Sequence, residues 1–123
     1  MSEGERYVIL VWGFVAETTN GGIHQFLTNS TGDYAEETRE VLNRIGATQA
    51  AEALDAASEV LFGDKPIPSD RALRNDILST WDEKHGKDAA LFFLDRFDRL
   101  LGDCESVDDA IAGYIRDHYE MFG

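Results

Sequence analysis

Cysteine is almost missing from this chain: Cys104 stands alone, so no intramolecular disulfide can form and no cysteine-based zinc site can be assembled. That usage fits a reducing compartment, and cytoplasmic residence is the expectation. Basic residues are also scarce, 11 against 24 acidic ones with three histidines, for a formal net charge of −13. Such a chain repels nucleic acid and anionic membrane and attracts basic surfaces, which argues against direct nucleic-acid binding. Long apolar runs are absent. The longest, Tyr7 to Ala16, has ten residues, whereas a bilayer span needs about 20. Glu3, Glu5 and Arg6 leave the segment before it net acidic, unlike a secretory signal, and the sequon Asn29-Ser30-Thr31 therefore meets no glycosylating enzyme. Proline occurs twice, at Pro66 and Pro68, in a linker-like stretch too short to divide the chain into two domains.

What is present is enough to fold. Hydrophobic residues make up 43% and aromatics 11%, above the range of a disordered acidic tail. At 123 residues the chain fits one domain, residues 1–123, that buries roughly two thirds of its unfolded surface.

The spacing predicts an all-α domain of six or seven helices joined by short turns. Tyr7 to Glu17 reads as a buried helix, because no second strand-like segment is available to pair with it. Asn20-Gly21-Gly22 supplies residues that tolerate positive φ, so one helix stops and the next starts at an angle, with Ile23, Phe26 and Leu27 inward. Thr31-Gly32-Asp33 is a turn and cap before a helix with Tyr34, Thr38, Val41, Leu42 and Ile45 inward and Gly46 as its stop. Thr48 is placed to cap an alanine-rich helix ended by Gly63. Ser69 or Asp70 opens another, through about Lys84, with Leu73, Ile77, Leu78 and Trp81 inward, ended by His85-Gly86. Asp88 to Leu101 follows, with Leu91, Leu94, Phe97 and Leu101 on its inner face and Phe93 and Leu100 widening it. The last helix starts at the capping box Ser106-x-x-Asp109 and buries Val107, Ala110, Ile111, Tyr114, Ile115 and Phe122.

The charge excess is uneven. Residues 1–32, 33–62, 63–100 and 101–123 carry −2, −5, −1 and −5. In the near-neutral third block Asp70/Arg74, Glu83/Lys87 and Asp95/Arg99 have the spacing of ion pairs on a solvated helix surface. In the acidic blocks the carboxylates are expected to lack partners. Asp33, Glu36, Glu37 and Glu40 form one helical stripe, and Glu52, Asp55 and Glu59 a second. Neighbours on such a stripe are about 5–6 Å apart, close to phosphate spacing along a nucleic-acid strand. Asp108 and Asp109 add to the field. Acid at a helix start is also favoured by the helix dipole, so the stripes have a purely structural reading too.

Catalytic patterns are missing. His24, His85 and His118 lie in separate elements with no ligand spacing, and there is no phosphate loop, nucleophile elbow or calcium loop, so no metal, cofactor or catalytic residue is assigned. His24 with Asn20, Gln25 and Asn29 could form a polar cluster that holds a bend by hydrogen bonds, or alternatively a ligand pocket.

The string Asn20-Gly21-Gly22-Ile23-His24-Gln25-Phe26, then Asn29 and Gly32-Asp33, followed by Arg44-Ile45-Gly46-Ala47 and weaker similarity through Leu94-Asp95-Arg96-Phe97 and Tyr114 to His118, resembles a bacterial family of DNA-mimic proteins. The resemblance runs from Trp12 to Phe122. It departs from the family pattern at Thr18-Thr19, Ile23 and Leu27. It implies an all-α fold, a cytoplasmic location, dimerisation, and surface carboxylates that occupy the DNA-binding face of a protein. The expected role is an acidic interaction module whose partner is a basic DNA-binding protein such as a transcription factor. The alternatives are an immunity protein facing a basic toxin, and a small-ligand sensor or enzyme centred on His24 and Gln25.

Overall fold

Tyr7, Val11 and Phe14 recur every three to four residues within the first apolar run, and that period turns one side of a helix inward while Ile9 and Trp12 stay exposed. The computed structural model describes residues 2–101 and 104–118, and among them there is helix and no strand. The elements are α1 (Glu3–Thr28), a 3₁₀ turn (Ser30–Tyr34), α2 (Ala35–Arg44), α3 (Thr48–Phe62), α4 (Arg71–His85), a second 3₁₀ turn (Gly86–Asp88), α5 (Ala89–Phe93), a π turn (Leu94–Asp98), α6 (Arg99–Leu101) and α7 (Cys104–Asp117). Ser2 caps α1 by accepting from the Glu5 N–H, and Asp70 caps α4 by accepting from Ala72 and Leu73.

Among the described residues the expected six or seven helices become five of ten residues or more, α1, α2, α3, α4 and α7. Two features account for the difference. The break at Asn20-Gly21-Gly22 is a kink inside α1, confined to Gly21 (φ −150°) and Gly22 (φ 73°), after which the chain resumes as helix. The expected helix from Asp88 to Leu101 is two short α pieces joined by the π turn. Phe93 and Phe97 are both buried there and Phe92 is half-buried, gathered against Trp81 and one another at centroid distances of 5.0–5.8 Å. Burying the aromatics outweighs burying the leucines, so Leu91, Leu94 and Leu100, expected inside, are exposed. Leu73 and Tyr34 are likewise outside. Thr48 is the first residue of α3 rather than its cap, and α7 begins at Cys104, so Ser106 lies within the helix and its capping box does not set the start. Phe122 lies outside the described residues.

α1 is the central element, packing on the first 3₁₀ turn, α2, α4, α7 and the π turn. Its Val11, Phe14, Ile23, Phe26 and Leu27 are buried with Leu42 of α2, Ala53, Leu54 and Ala57 of α3, Leu78 of α4, and Val107 and Ile111 of α7. Phe14 meets Phe26 edge-to-face at 5.0 Å across the kink, which ties the two halves of α1 together. The small side chains of α3 let it lie close to α2 and α6.

Candidate functional site

The motif residues are organised around a side chain that the sequence places on the surface. Arg74, expected as half of a solvated pair with Asp70, is wholly buried. Its Nε donates to the Leu27 carbonyl, Nη1 to the Pro68 carbonyl (2.9 Å), and Nη2 to the Asn29 carbonyl (2.9 Å) and Asp33 Oδ1 (2.8 Å). The end of α1, the 3₁₀ turn and the entry to α4 are thus pinned by one guanidinium. Gly32 is required in this cradle: a Cβ would stand 2.7 Å from the Phe26 carbonyl oxygen and 2.9 Å from both the Leu27 oxygen and Arg74 Nε. Asp33 also accepts from Arg71 Nη2 at 2.9 Å, and these two arginines, Arg71 foremost, hold its carboxyl below the ordinary range.

The expected cluster of Asn20, His24, Gln25 and Asn29 divides into two. On one side Glu17 gathers Gln25 Nε2 (3.0 Å) and Asn29 Nδ2 (2.7 Å), and Asn20 donates to Gln25 Oε1 at 3.3 Å. At Gly21 a Cβ would fall 2.8 Å from Gln25 Cβ, an atom held by the backbone. On the other side His24 bonds Asp82 Oδ2 through Nε2 (2.8 Å), lies 3.3 Å from the Thr28 hydroxyl through Nδ1, and meets Phe93 edge-on. Asp98 approaches over Gly22 and accepts the Ile23 N–H at 2.9 Å, so it caps the second half of α1 from the π turn. Burial pushes the Asp98 carboxyl up, against the lowering effects of the Ile23 N–H and His24. Nothing in the sequence pattern links Asp98 to Gly22, 76 positions before it. His24, Asp82 and Asp98, with Gly21, Lys87 and Phe93, line a cleft of about 510 Å³; Asp82 Oδ1 is buried and has no hydrogen-bond partner among the described residues. His85 stacks on Trp81 and His118 on Tyr114, each bonding a carbonyl four residues back.

The first acidic stripe is largely engaged inside the molecule, contrary to the expectation of unpartnered carboxylates. Besides Asp33, Glu37 forms a two-bond ion pair with Arg6, which lowers its pKa. Glu36 accepts the Ile67 N–H at 2.7 Å and pairs with Arg39. Glu40 remains exposed. The second stripe, Glu52, Asp55 and Glu59, lies on the exposed face of α3, where Arg39 reaches Asp55 at 3.0 Å. The two stripes meet at a groove of about 600 Å³ between α2 and α3, lined by Glu36, Asp55, Glu59 and Asp64 with Arg39 and Lys65. The C-terminal acidic block approaches from another side. Asp108 and Asp109 are exposed on α7, and Asp109 and Asp117 line a depression shared with Asn43, Arg44 and Gly46 at the α2–α3 turn.

Among the described residues no group of three or more His, Cys, Asp or Glu is arranged to hold a metal ion, and no helix is long and apolar enough to cross a membrane.

Fold and surface together define, among the described residues, an acidic all-α domain with exposed carboxylates along α3 and, through Asp109 and Asp117, beside the α2–α3 turn. Residues 1–118 match the family model described as DMP19-like protein, and the chain belongs to that family of DNA-mimic proteins. No curated protein and no solved structure matches the chain.

Proposed function

We propose that this protein is a cytoplasmic, non-catalytic interaction module that binds a basic DNA-binding protein, such as a transcription factor, and blocks its DNA-binding face. The observation that carries this reading is the set of carboxylates that face solvent: Asp55 and Glu59 at the α2–α3 groove, Glu52 on the same stripe of α3, Glu40 on α2 beside Glu3 and Arg44, and Asp108 and Asp109 on α7. Family membership supports it. These groups act as a field that steers a cationic surface more than as single hot spots. Asp33, Glu36 and Glu37 contribute less to that field, because arginines already neutralise them.

The test is capture of partners from the source cell's lysate on immobilised protein at low salt, eluted by a salt gradient. The reading expects one DNA-binding protein, released steeply with salt and displaced by its own DNA. Binding indifferent to salt and to DNA overturns it. A basic toxin in the eluate would instead support the immunity reading.

The cleft of about 510 Å³ lined by His24, Asp82 and Asp98 favours a second reading, a small-ligand sensor. Gln25 plays no part there, since it faces Glu17.

A further inference from the structure

The two walls of the groove of about 600 Å³ between α2 and α3 differ in what they leave free. On the α2 side the polar groups are used up: Glu36 Oε1 accepts the Ile67 N–H, Oε2 pairs with Arg39, and Arg39 reaches on to Asp55 Oδ1. On the α3 side acceptors stay open. Asp55 Oδ2 takes no part in the Arg39 bond, and Glu59 and Asp64, both exposed, form no hydrogen bond or ion pair through their side chains with the described residues. Asp55, Ser58 and Glu59 follow one another at i, i+3 and i+4, so they share one face of α3.

Two observations that do not depend on the carboxylates point the same way. Ser58 is 5% exposed and lines the groove, yet its hydroxyl forms no hydrogen bond with the described residues. Among those residues the unpartnered atoms sealed from solvent are Thr38 Oγ1, Asn75 Oδ1 and Asp82 Oδ1. The Ser58 hydroxyl is not one of them, so it keeps an opening, and the opening is onto the groove. A nearly buried hydroxyl without a partner is rare, and one that borders a groove is accounted for by what enters there. The second observation is the end of α3. Its last turn has no basic residue, and the groove continues past that end along Gly63, Asp64, Lys65 and Pro66. A helix C-terminus carries partial negative charge that favours a cation. Lys65, the nearest one in sequence, is exposed and forms no ion pair with the described residues.

We infer that this groove receives one arginine side chain of the basic partner, its guanidinium donating to Ser58 Oγ, Asp55 Oδ2 and the Glu59 carboxylate at the C-terminal end of α3. That the arginine belongs to a DNA-binding protein rests on the function proposed above. Arginine fits better than lysine because its planar fork serves several acceptors at once and is more weakly hydrated than an ammonium. DNA-binding proteins present such arginines to phosphate oxygens. Here two carboxylates one helical turn apart, with a hydroxyl between them, stand where the phosphate would be.

The test is titration of ¹⁵N-labelled full-length protein at low salt with an end-capped Gly-Arg-Gly peptide, followed by amide shifts. The same peptide with lysine, and with the neutral isostere citrulline, in place of arginine serves as control. The expected result is saturable shifts at Asp55, Ser58, Glu59 and Asp64, several-fold weaker binding of the lysine peptide and none of the citrulline peptide. Ser58→Ala should weaken arginine-peptide binding about fivefold, the scale of one hydrogen bond, while the thermal melt stays at the parent's or rises, because alanine is the better helix former. Glu59→Lys, a change at an exposed position, should abolish binding by placing a like charge on the groove. Shifts confined to other acidic surfaces, absence of saturable shifts, equal binding of the lysine or citrulline peptide, or a Ser58→Ala protein that binds undiminished would each overturn the site and leave capture of a DNA-binding protein from lysate unaffected. Groove binding of the arginine peptide, beside a lysate capture that yields no DNA-binding protein, would uphold the site and overturn only the class of its partner.

Discussion

Arg74 Nη2 lies 2.8 Å from Asp33 Oδ1, and the arginine is entirely withdrawn from solvent while the aspartate remains one-quarter exposed. The pair closes the 3₁₀ turn over the end of α1, and three backbone carbonyls complete the arginine's coordination. Removing the guanidinium leaves those carbonyls unsatisfied. Arg74→Leu should therefore cost about 3–5 kcal/mol of unfolding free energy, the scale for breaking a buried, hydrogen-bonded charge pair. Arg74→Lys should recover only part of it, since an ammonium lacks the planar fork that spans Pro68, Asn29 and Asp33. Urea unfolding of both variants checks this, and a Lys variant as stable as the parent would show that charge alone suffices.

Two motif glycines carry distinct constraints. Gly22 has φ 73° and ψ −168°, a region almost reserved for glycine, and a Cβ would strike the Asp98 carboxylate at 2.6 Å. Gly22→Ala should destabilise by about 1–3 kcal/mol through backbone strain and the displaced cap. At Gly32 the obstruction is backbone, which cannot swing aside, so Gly32→Ala should cost about 1–3 kcal/mol through overpacking. Thermal melts read both. In Gly22→Ala the amide protection of Ile23 should fall first, because its acceptor is the group displaced.

Acid should expose opposing carboxylate titrations. Asp33 and Glu37 have depressed folded pKa values, so the unfolded chain binds more protons as pH falls below about 4.3. Their stabilisation is complete above that pH and is lost as pH drops through their folded values. Asp98 has a raised folded pKa, so the native state holds its proton longer. It opposes folding above that value, and the penalty vanishes below about pH 3.9, where the unfolded aspartate is protonated as well. Asp98→Asn should thus be more stable than the parent at neutral pH, with the gap closing in acid. Glu37→Gln should show the reverse, a deficit at neutral pH that disappears in acid. Urea midpoints measured from pH 3 to 7 decide both signs.

Among the acids, position separates binding from stability. Glu52 and Glu59 are exposed on α3, so Glu52→Gln and Glu59→Gln should leave stability within about 0.5 kcal/mol of the parent. Each should weaken capture of the basic partner several-fold and flatten its salt dependence. Asp33→Asn should do the opposite, lowering the melting temperature with little effect on capture. Partner affinity that tracks Asp33 and ignores Glu52 and Glu59 would move the interaction surface off α3.

The helical class, the single short linker, the glycine-marked bends and the partition of charge follow from composition and period, because those properties are local: Gly46, Gly63 and Gly86 all have positive φ at helix ends where the pattern stops. Sequence also names the residues of the motif. What each motif residue touches depends on contacts between segments far apart in the chain. Asp98 reaches Gly22 only because the π turn shifts the register beyond Phe93, and a heptad-like reading of 88–101 contains no sign of that shift. Arg74 follows Asp70 by four, a spacing shared by ordinary surface pairs, and nothing local reveals that α4 would press it against the end of α1. The same holds for the acidic stripe on α2, whose members look alike in sequence. Arginines from α1, α2 and α4 neutralise Asp33, Glu36 and Glu37 and leave Glu40 to solvent. Net charge is a sum that sequence determines by itself; which charges remain to face a partner is a matter of distance, and only the tertiary structure sets it.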